Sequence, residues 1–266
     1  MYGAAKRCRR LRISDTVSSM PPLRQKLKAA YSIFRQRGVR LFLGRWKAGH
    51  AEEVEFWDEF FRTRGSRWAA GYAERLSPVS LLQPRPAALL PDAPEATILD
   101  VGAGPLTSLG KTVPGKRLHI TAVDPLADDY DAVLAKYGVT PPVRTEKLPG
   151  EKLTKRFPAE TFDLVHARNC LDHAYNPVKA IEQMIRVAKR GGCVLLEHHP
   201  NEADTQEHKG LHQWNFTTNA EGDFVIAGRR GAPVNVSARF QQSVSTHCDY
   251  VDDGEKWLIV TMRKKA

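Results

Sequence analysis

From Thr97 onward, short apolar runs alternate with longer stretches of mixed polarity. Ile98–Val101, Leu118–Val123 and Phe162–His166 are too short for stable helices but suit strands buried in a sheet. Val143–Lys147 is a weaker third strand in this series and Cys193–Glu197 a fifth. Between them, Ala127–Tyr137 has helical character. A second helix follows Asn176: an N-cap, Pro177 at the first position, Val178, Ile181, Ile185 and Ala188 on one face, and Gly191 at its end. Strands alternating with helices predict an α/β fold: a doubly wound, mostly parallel sheet with helices on both faces. Near the end, Phe224–Ala227 and Trp257–Met262 read as strands that would pair antiparallel at the sheet edge.

Ahead of this region the pattern is helical. In residues 52–65, Val54, Trp57, Phe60 and Phe61 form one stripe. The prolines at 78, 84, 86, 91 and 94 then make residues 76–96 a linker with at most one short helix. Leu23, Leu27, Ala30, Tyr31 and Phe34 form a further stripe within Leu23–Leu43, flanked by Arg24, Lys28, Arg35 and Arg37. This division predicts a basic leader with an amphipathic helix over 1–50, a helical lid and Pro-rich linker over 51–96, and the sheet domain over 97–266.

Charge sharpens that division. The chain carries a net +10, yet residues 1–50 hold thirteen basic residues and one acid, Asp15. The remaining 27 basic and 29 acidic residues leave the body near neutral, which argues against nucleic acid as a partner of the body. Three uses of the basic helix stay open: docking on the protein itself, peripheral contact at the inner membrane surface, or contact with nucleic acid or a partner protein. No apolar run is long enough to cross a membrane. The basic N-terminus lacks the apolar core of a secretory signal. Cys8, Cys170, Cys193 and Cys248 form no CxxC pair, so a reducing, cytoplasmic location is expected.

The densest chemical signal is Ile98–Pro105, ILDVGAGP. A buried strand runs through Asp100 into Gly102, Ala103 and Gly104, where the backbone can approach a ligand closely. Asp124 ends the next strand, placed to accept hydrogen bonds from ribose hydroxyls. A dinucleotide fingerprint would need a third glycine where Thr107 stands. Asp100 also places an acid where a pyrophosphate would sit.

With AVDP at Asp124, FDLVHARNCLDHAYNP after the fourth strand and VAKRGGCVLLEH at the fifth, the chain resembles the class I S-adenosylmethionine-dependent methyltransferases over Thr97–Glu197. The resemblance implies a Rossmann-like, seven-stranded sheet with an antiparallel edge strand, preceded here by the N-terminal helical extension. It implies S-adenosylmethionine as cofactor. Gly102, Ala103 and Gly104 would lie along its methionine and ribose portion, and Asp100 would hold the amino acid end. Asp124 would bind the ribose, Pro125 would border the adenine, and Ala167 and Arg168 would line the inner side. Glu151, after Gly150, is an imperfect match to an adenine-contacting acid.

Two polar clusters bear on the acceptor: Asn169, Asp172 and His173 after the fourth strand, and EHHPNEADTQEHKGLHQWNF after the fifth. His198 is the leading general-base candidate, with His173 and Asp172 as further catalytic candidates. Asn169, Glu197, His199, His212 and Trp214 are expected to contact the acceptor. Asp172 with Glu197 is an oxygen pair that could hold Mg²⁺, although no spacing is diagnostic of a metal. The motif NPPY is absent after the fourth strand, which argues against a nucleic-acid base. The favoured acceptor is a hydroxyl of a small molecule or glycan; an RNA-modifying enzyme and an inactive binding subunit are the alternatives.

Overall fold

The computed structural model describes residues 49–252 and 254–266. The expected basic helix over Leu23–Leu43 lies outside them. A helix over residues 49–62 (α1) comes first, then Ala69–Leu76 (α2) and Pro84–Ala88 (α3). The sheet region contains β1 (Glu95–Val101), β2 (Arg117–Asp124), α4 (Ala127–Lys136), β3 (Thr145–Lys147), β4 (Phe162–Arg168), α5 (Pro177–Val187) and β5 (Ala188–His198). After these come α6 (Glu202–Thr205), β6 (Trp214–Thr218), β7 (Phe224–Gly228), β8 (Val234–Asn235), α7 (Val236–Phe240), β9 (Val244–Asp252) and β10 (Lys256–Lys264). Among these helices none is long and apolar enough to cross a membrane.

Seven strands form one sheet in the order β3-β2-β1-β4-β5-β10-β9. The first five run parallel, and β10 pairs antiparallel with both β5 and β9. This is the doubly wound, mostly parallel sheet that the alternation predicts, in the seven-stranded Rossmann-like form with an antiparallel edge that the resemblance implies. One face packs Leu99, Val165 and Leu196 against Ile181 and Met184 of α5 and Phe216 of β6. The opposite face packs Ile98, Leu164 and Leu195 against Leu82 and Leu109. Each such buried aliphatic side chain contributes about 1.5–3 kcal/mol. A third cluster joins Trp57, Phe60 and Phe61 of α1 to Leu106, Leu126, Tyr130 and Leu134, so the expected stripe does face inward.

The cap of α5 forms as its residues dictate: the Asn176 side chain accepts from the Lys179 amide at 3.0 Å, and Pro177 follows. The helix ends earlier than expected, at Val187. Ala188 is already extended and pairs with Phe162, and the register then shifts until Cys193 pairs with Leu164. Gly191, with φ 72°, therefore lies within this irregular entry to β5 and does not cap the helix. Sheet pairing captures the chain before the glycine is reached.

The edge pairing also differs from expectation. Phe224–Gly228 joins a separate three-stranded sheet, antiparallel to β6 and β8. The partner of β10 is β9, where Ser245, His247 and Asp249 point to solvent on the outermost strand. Such an edge strand, polar on one side, reads in sequence as a loop.

Candidate active site

The carboxyl ends of β1, β2, β4 and β5 open into a cavity of about 800 Å³, where doubly wound sheets bind their ligands. Its floor is the turn after β1. Gly102 (φ 70°) and Gly104 (φ 62°) adopt the left-handed backbone that the turn requires. The amides of Gly102 and Ala103 donate to the Val123 carbonyl at 2.8 and 3.2 Å. Asp124, at the end of β2, accepts from the Gly104 amide at 3.1 Å and the Leu126 amide at 2.8 Å. Burial pushes its carboxyl up to about 7 against these two bonds. Glu53 raises it further, and His173 opposes. A carboxylate accepts about four hydrogen bonds, so Asp124 has capacity for ligand hydroxyls.

Asp100 borders the same cavity but is also tied inward. Its Oδ2 accepts from the Thr107 hydroxyl at 2.5 Å, and its Oδ1 from His166 Nδ1 at 2.8 Å. His166 Nε2 reaches Glu197 Oε2 at 3.1 Å. Strand register explains this line. Asp100 lies directly across from His166, and Glu197 lies two residues beyond Leu195, the cross-strand partner of His166, so all three share one face. Burial works against a charge on His166, yet the two carboxylates raise it to about 9. Burial likewise disfavours ionised Glu197, but His166, Arg168 and Arg85 draw its carboxyl down to about 2. Thr107 thus replaces the third glycine of a dinucleotide turn and uses its hydroxyl to orient Asp100.

A further wall, beside the turn, comes from the N-terminal segment, an expected lid in which no site residue is expected. His50, Glu53 and Trp57 of α1 face the cavity, as does Arg75 of α2. A Cβ on Gly104 would lie 2.7 Å from the Trp57 ring, so the indole rests on the glycine turn. Trp57 Nε1 donates to Glu53 at 2.9 Å. Arg75 donates to the Leu106 carbonyl at 2.5 Å, and burial lowers its guanidinium to about 10. The stripe of aromatics was the available signal for α1. For His166 it was a lone histidine within the otherwise apolar Phe162–Ala167, beside one acid, Asp163.

Along the same cavity, three ring and carboxylate atoms converge. His173 Nε2 lies 3.1 Å from His212 Nδ1 and 3.3 Å from Asp172 Oδ2, and His212 Nδ1 lies 2.7 Å from the same oxygen. Burial disfavours the Asp172 charge, but His173 and His212 hold its carboxyl below the usual range. Asn169, Arg168, His173, His212, His199 and Glu151 all line the cavity, together with Ala103 and Pro125. Arg168 lies over the Trp257 ring at 4.3 Å, and His199 contacts the same ring at 4.0 Å between centroids.

Five sequence candidates lie off the cavity wall. Ala167 is fully buried in the core. Asp172 is buried behind the two histidines. Trp214 donates its indole N–H to the Ala174 carbonyl at 2.8 Å and packs on the core, so it offers no open ring platform. Glu197 is taken up by Arg85, His166 and Arg168. The expected Asp172–Glu197 Mg²⁺ pair does not assemble, because Glu197 is already neutralised on the opposite face. His198 follows Glu197 and points the other way. It packs on Phe216 at 4.7 Å between centroids, and burial lowers its ring to about 4. A neutral histidine inside the core does not reach a substrate in the cavity, which removes it from the position of leading base.

The donor set fits S-adenosylmethionine. Asp124 suits ribose hydroxyls. The buried Asn169 Oδ1, which has no hydrogen-bond partner among the described residues, suits a donor from the ligand. The glycine turn borders the cavity with its backbone, which suits close passage of a thin chain, while the acid at Asp100 disfavours a pyrophosphate.

Comparison with known proteins agrees with this geometry. Residues 72–250 match the family described as methyltransferase domain, and the chain belongs to that family. An uncharacterised methyltransferase of Schizosaccharomyces pombe is 30% identical over 184 residues, covering 60% of this chain. The chain spans 64% of that relative's length. In structure, the chain is similar to one in the complex between the Haloferax volcanii Trm112 methyltransferase activator and a methyltransferase. That match has a TM-score of 0.50 and 15% identity, and covers 78% of this chain and 98% of the other. At that identity it speaks for the fold alone.

Proposed function

We propose that the chain is an S-adenosylmethionine-dependent methyltransferase acting on a hydroxyl of a small molecule or glycan. The observation that carries this reading is one cavity lined both by the glycine turn with Asp124 and by His173 and His212, which Asp172 backs. When bound, S-adenosylmethionine supplies a methyl group already activated on a sulfonium. Asp124 would bind the ribose, with Gly102 to Gly104 beneath the chain and Asp100 toward its cationic amino acid end. Glu151 and Pro125 lie where the adenine is expected. What remains for the protein is alignment of the acceptor and removal of its proton. Arg168, Asn169 and His199 line the acceptor side, and α1 with Trp57 covers the cavity and excludes water. His173 and His212 reach into the cavity with Asp172 behind them, so this cluster, and not His198, is the part of the chain that promotes loss of the hydroxyl proton.

Calorimetric titration with S-adenosylmethionine and S-adenosylhomocysteine tests the reading, with NAD as control. We expect micromolar binding of both sulfur ligands and none of NAD. Asp124→Ala removes two charge-assisted hydrogen bonds and is expected to weaken binding by about 100-fold or more. Because ribose hydroxyls donate to the ionised carboxylate, wild-type affinity should fall by up to about tenfold per pH unit below about 7. Failure of well-folded protein to bind either sulfur ligand would discard the reading. A hydroxyl acceptor is then sought by methyl transfer to a panel of phenols, sterols and glycans, with RNA as the competing substrate.

A further inference from the structure

We infer that Asp172, His173 and His212 form a binding site for a divalent transition-metal ion of the Zn²⁺ type, with its open position facing the acceptor end of the cavity. The inference rests on the methyltransferase reading only for what the ion would do, not for its binding. Nε2 of His173, Nδ1 of His212 and Oδ2 of Asp172 form a triangle with edges of 3.1, 3.3 and 2.7 Å. Ligand atoms about 2.1 Å from a tetrahedral ion lie about 3.4 Å apart, so a small outward shift of the three atoms, largest along the Asp172–His212 edge, would bring them to the spacing of one coordination face. Two imidazoles and a carboxylate favour Zn²⁺ and its neighbours over Mg²⁺, which seeks oxygens and water.

Chain geometry holds the three together. Asp172 and His173 are adjacent on the short turn Leu171–His173 after β4, and His212 arrives from the loop before β6. The Gln213 amide donates to the Asp172 carbonyl at 3.1 Å, which fixes the two segments against each other.

Two independent observations point to a ligand. The other oxygen of Asp172, in a side chain 1% exposed, has no hydrogen-bond partner among the described residues. The same holds for Oε2 of Glu202, whose Oε1 lies 3.9 Å from His212 Nδ1. Buried carboxylate oxygens are seldom left unmatched. A cation at the triangle would satisfy the Asp172 charge, and Glu202 is near enough to serve as a fourth ligand or to accept a proton from a bound oxygen. On its far side, His173 Nδ1 lies 3.7 Å from Glu53 Oε2. A carboxylate behind a ligating imidazole orients the ring and raises its basicity. Through Glu53, the site is linked to α1 and Trp57.

Because His173, His212 and Glu202 border the cavity while Asp172 lies behind, the remaining coordination position opens toward the acceptor. An ion there would lower the pKa of a hydroxyl placed on it.

The test is Zn²⁺ calorimetry on the metal-free full chain, with Co²⁺ absorption as a spectroscopic reading of coordination. We expect one ion per chain and visible Co²⁺ bands. His212→Ala and Asp172→Asn, the latter nearly isosteric, are expected to weaken binding about 100-fold or more. His247→Ala, on the exposed edge strand, should leave it unchanged. Circular dichroism confirms the fold of each variant, and S-adenosylhomocysteine titration is run on the same samples. Absence of stoichiometric Zn²⁺ binding, or binding that both site variants leave within twofold, overturns the site. If that happens while S-adenosylhomocysteine still binds, the methyltransferase reading stands. If Zn²⁺ binds stoichiometrically and the sulfur ligand does not, the metal site stands and the methyltransferase reading falls.

Discussion

Replacing His166 with alanine is expected to lower the stability of the protein by roughly 3–5 kcal/mol, the cost of breaking a buried ion network by removing one partner. His166 is 1% exposed and lies between Asp100 and Glu197, themselves 2% and 3% exposed. Without the ring, two carboxylates face one another across buried space, and Arg85 and Arg168 compensate only the Glu197 end. For a chain of this size the loss corresponds to a melting temperature lower by roughly 10 °C. The pH dependence has a definite sign. The folded ring is raised from 6.5 to about 9, so its contribution is full below about 6.5 and is lost as pH rises through about 9. Glu197 is depressed from 4.5 to about 2, so its share is present above about 4.5 and is lost as pH falls through about 2. Urea unfolding of wild type and variant across pH should therefore show the largest gap between about pH 4.5 and 6.5. A gap below 1 kcal/mol in that window, or one that widens above pH 9, would mean that His166 is not a buried cation.

The same triad marks where sequence reading succeeds and where it stops. Short apolar runs locate β1, β2, β4 and β5, because strands buried on both faces leave no other use for such segments, whereas edge strand β3 (Thr145–Lys147) is polar and gives only a weak signal. Asp100, the glycine turn and Asp124 were legible because their places depend on the backbone next to them. His166 was not, since its partners come from β1 and β5, and only the register brings them opposite. Glu197 and His198 show the same limit. Adjacent residues of a strand point to opposite faces, and nothing local states which face belongs to which layer. Glu197 joins the His166 layer, and His198 falls into the layer beneath Phe216. His173 and His212 were both singled out from the sequence, but their meeting at 3.1 Å follows from a loop that returns after 39 residues. Edge strand β9 was missed because its outward positions are polar, and Gly191 misled because pairing with β4 ended the helix first.

Trp57→Ala is expected to have the second large effect, and on binding as well as stability. The indole is 9% exposed and packs edge-on against Phe60 and Tyr130, at 5.2 and 6.3 Å between centroids. It also covers the face of Gly104 where any side chain would collide with it. Truncating a buried tryptophan costs about 3–5 kcal/mol through lost contacts and the cavity left behind. Here the cavity would open directly onto the ligand site, and Glu53 would lose the N–H that holds it beside His173. Water would then reach the glycine turn, and S-adenosylhomocysteine affinity should fall by at least about tenfold, or 1.4 kcal/mol. Trp57→Phe retains most of the packing but not the N–H. It should recover most of the stability while leaving Glu53 free to turn. Melting curves and calorimetry well below the transition separate these effects. If Trp57→Ala melts earlier yet binds the sulfur ligand within twofold of wild type, α1 is a stabilising element packed beside the site and not part of its wall.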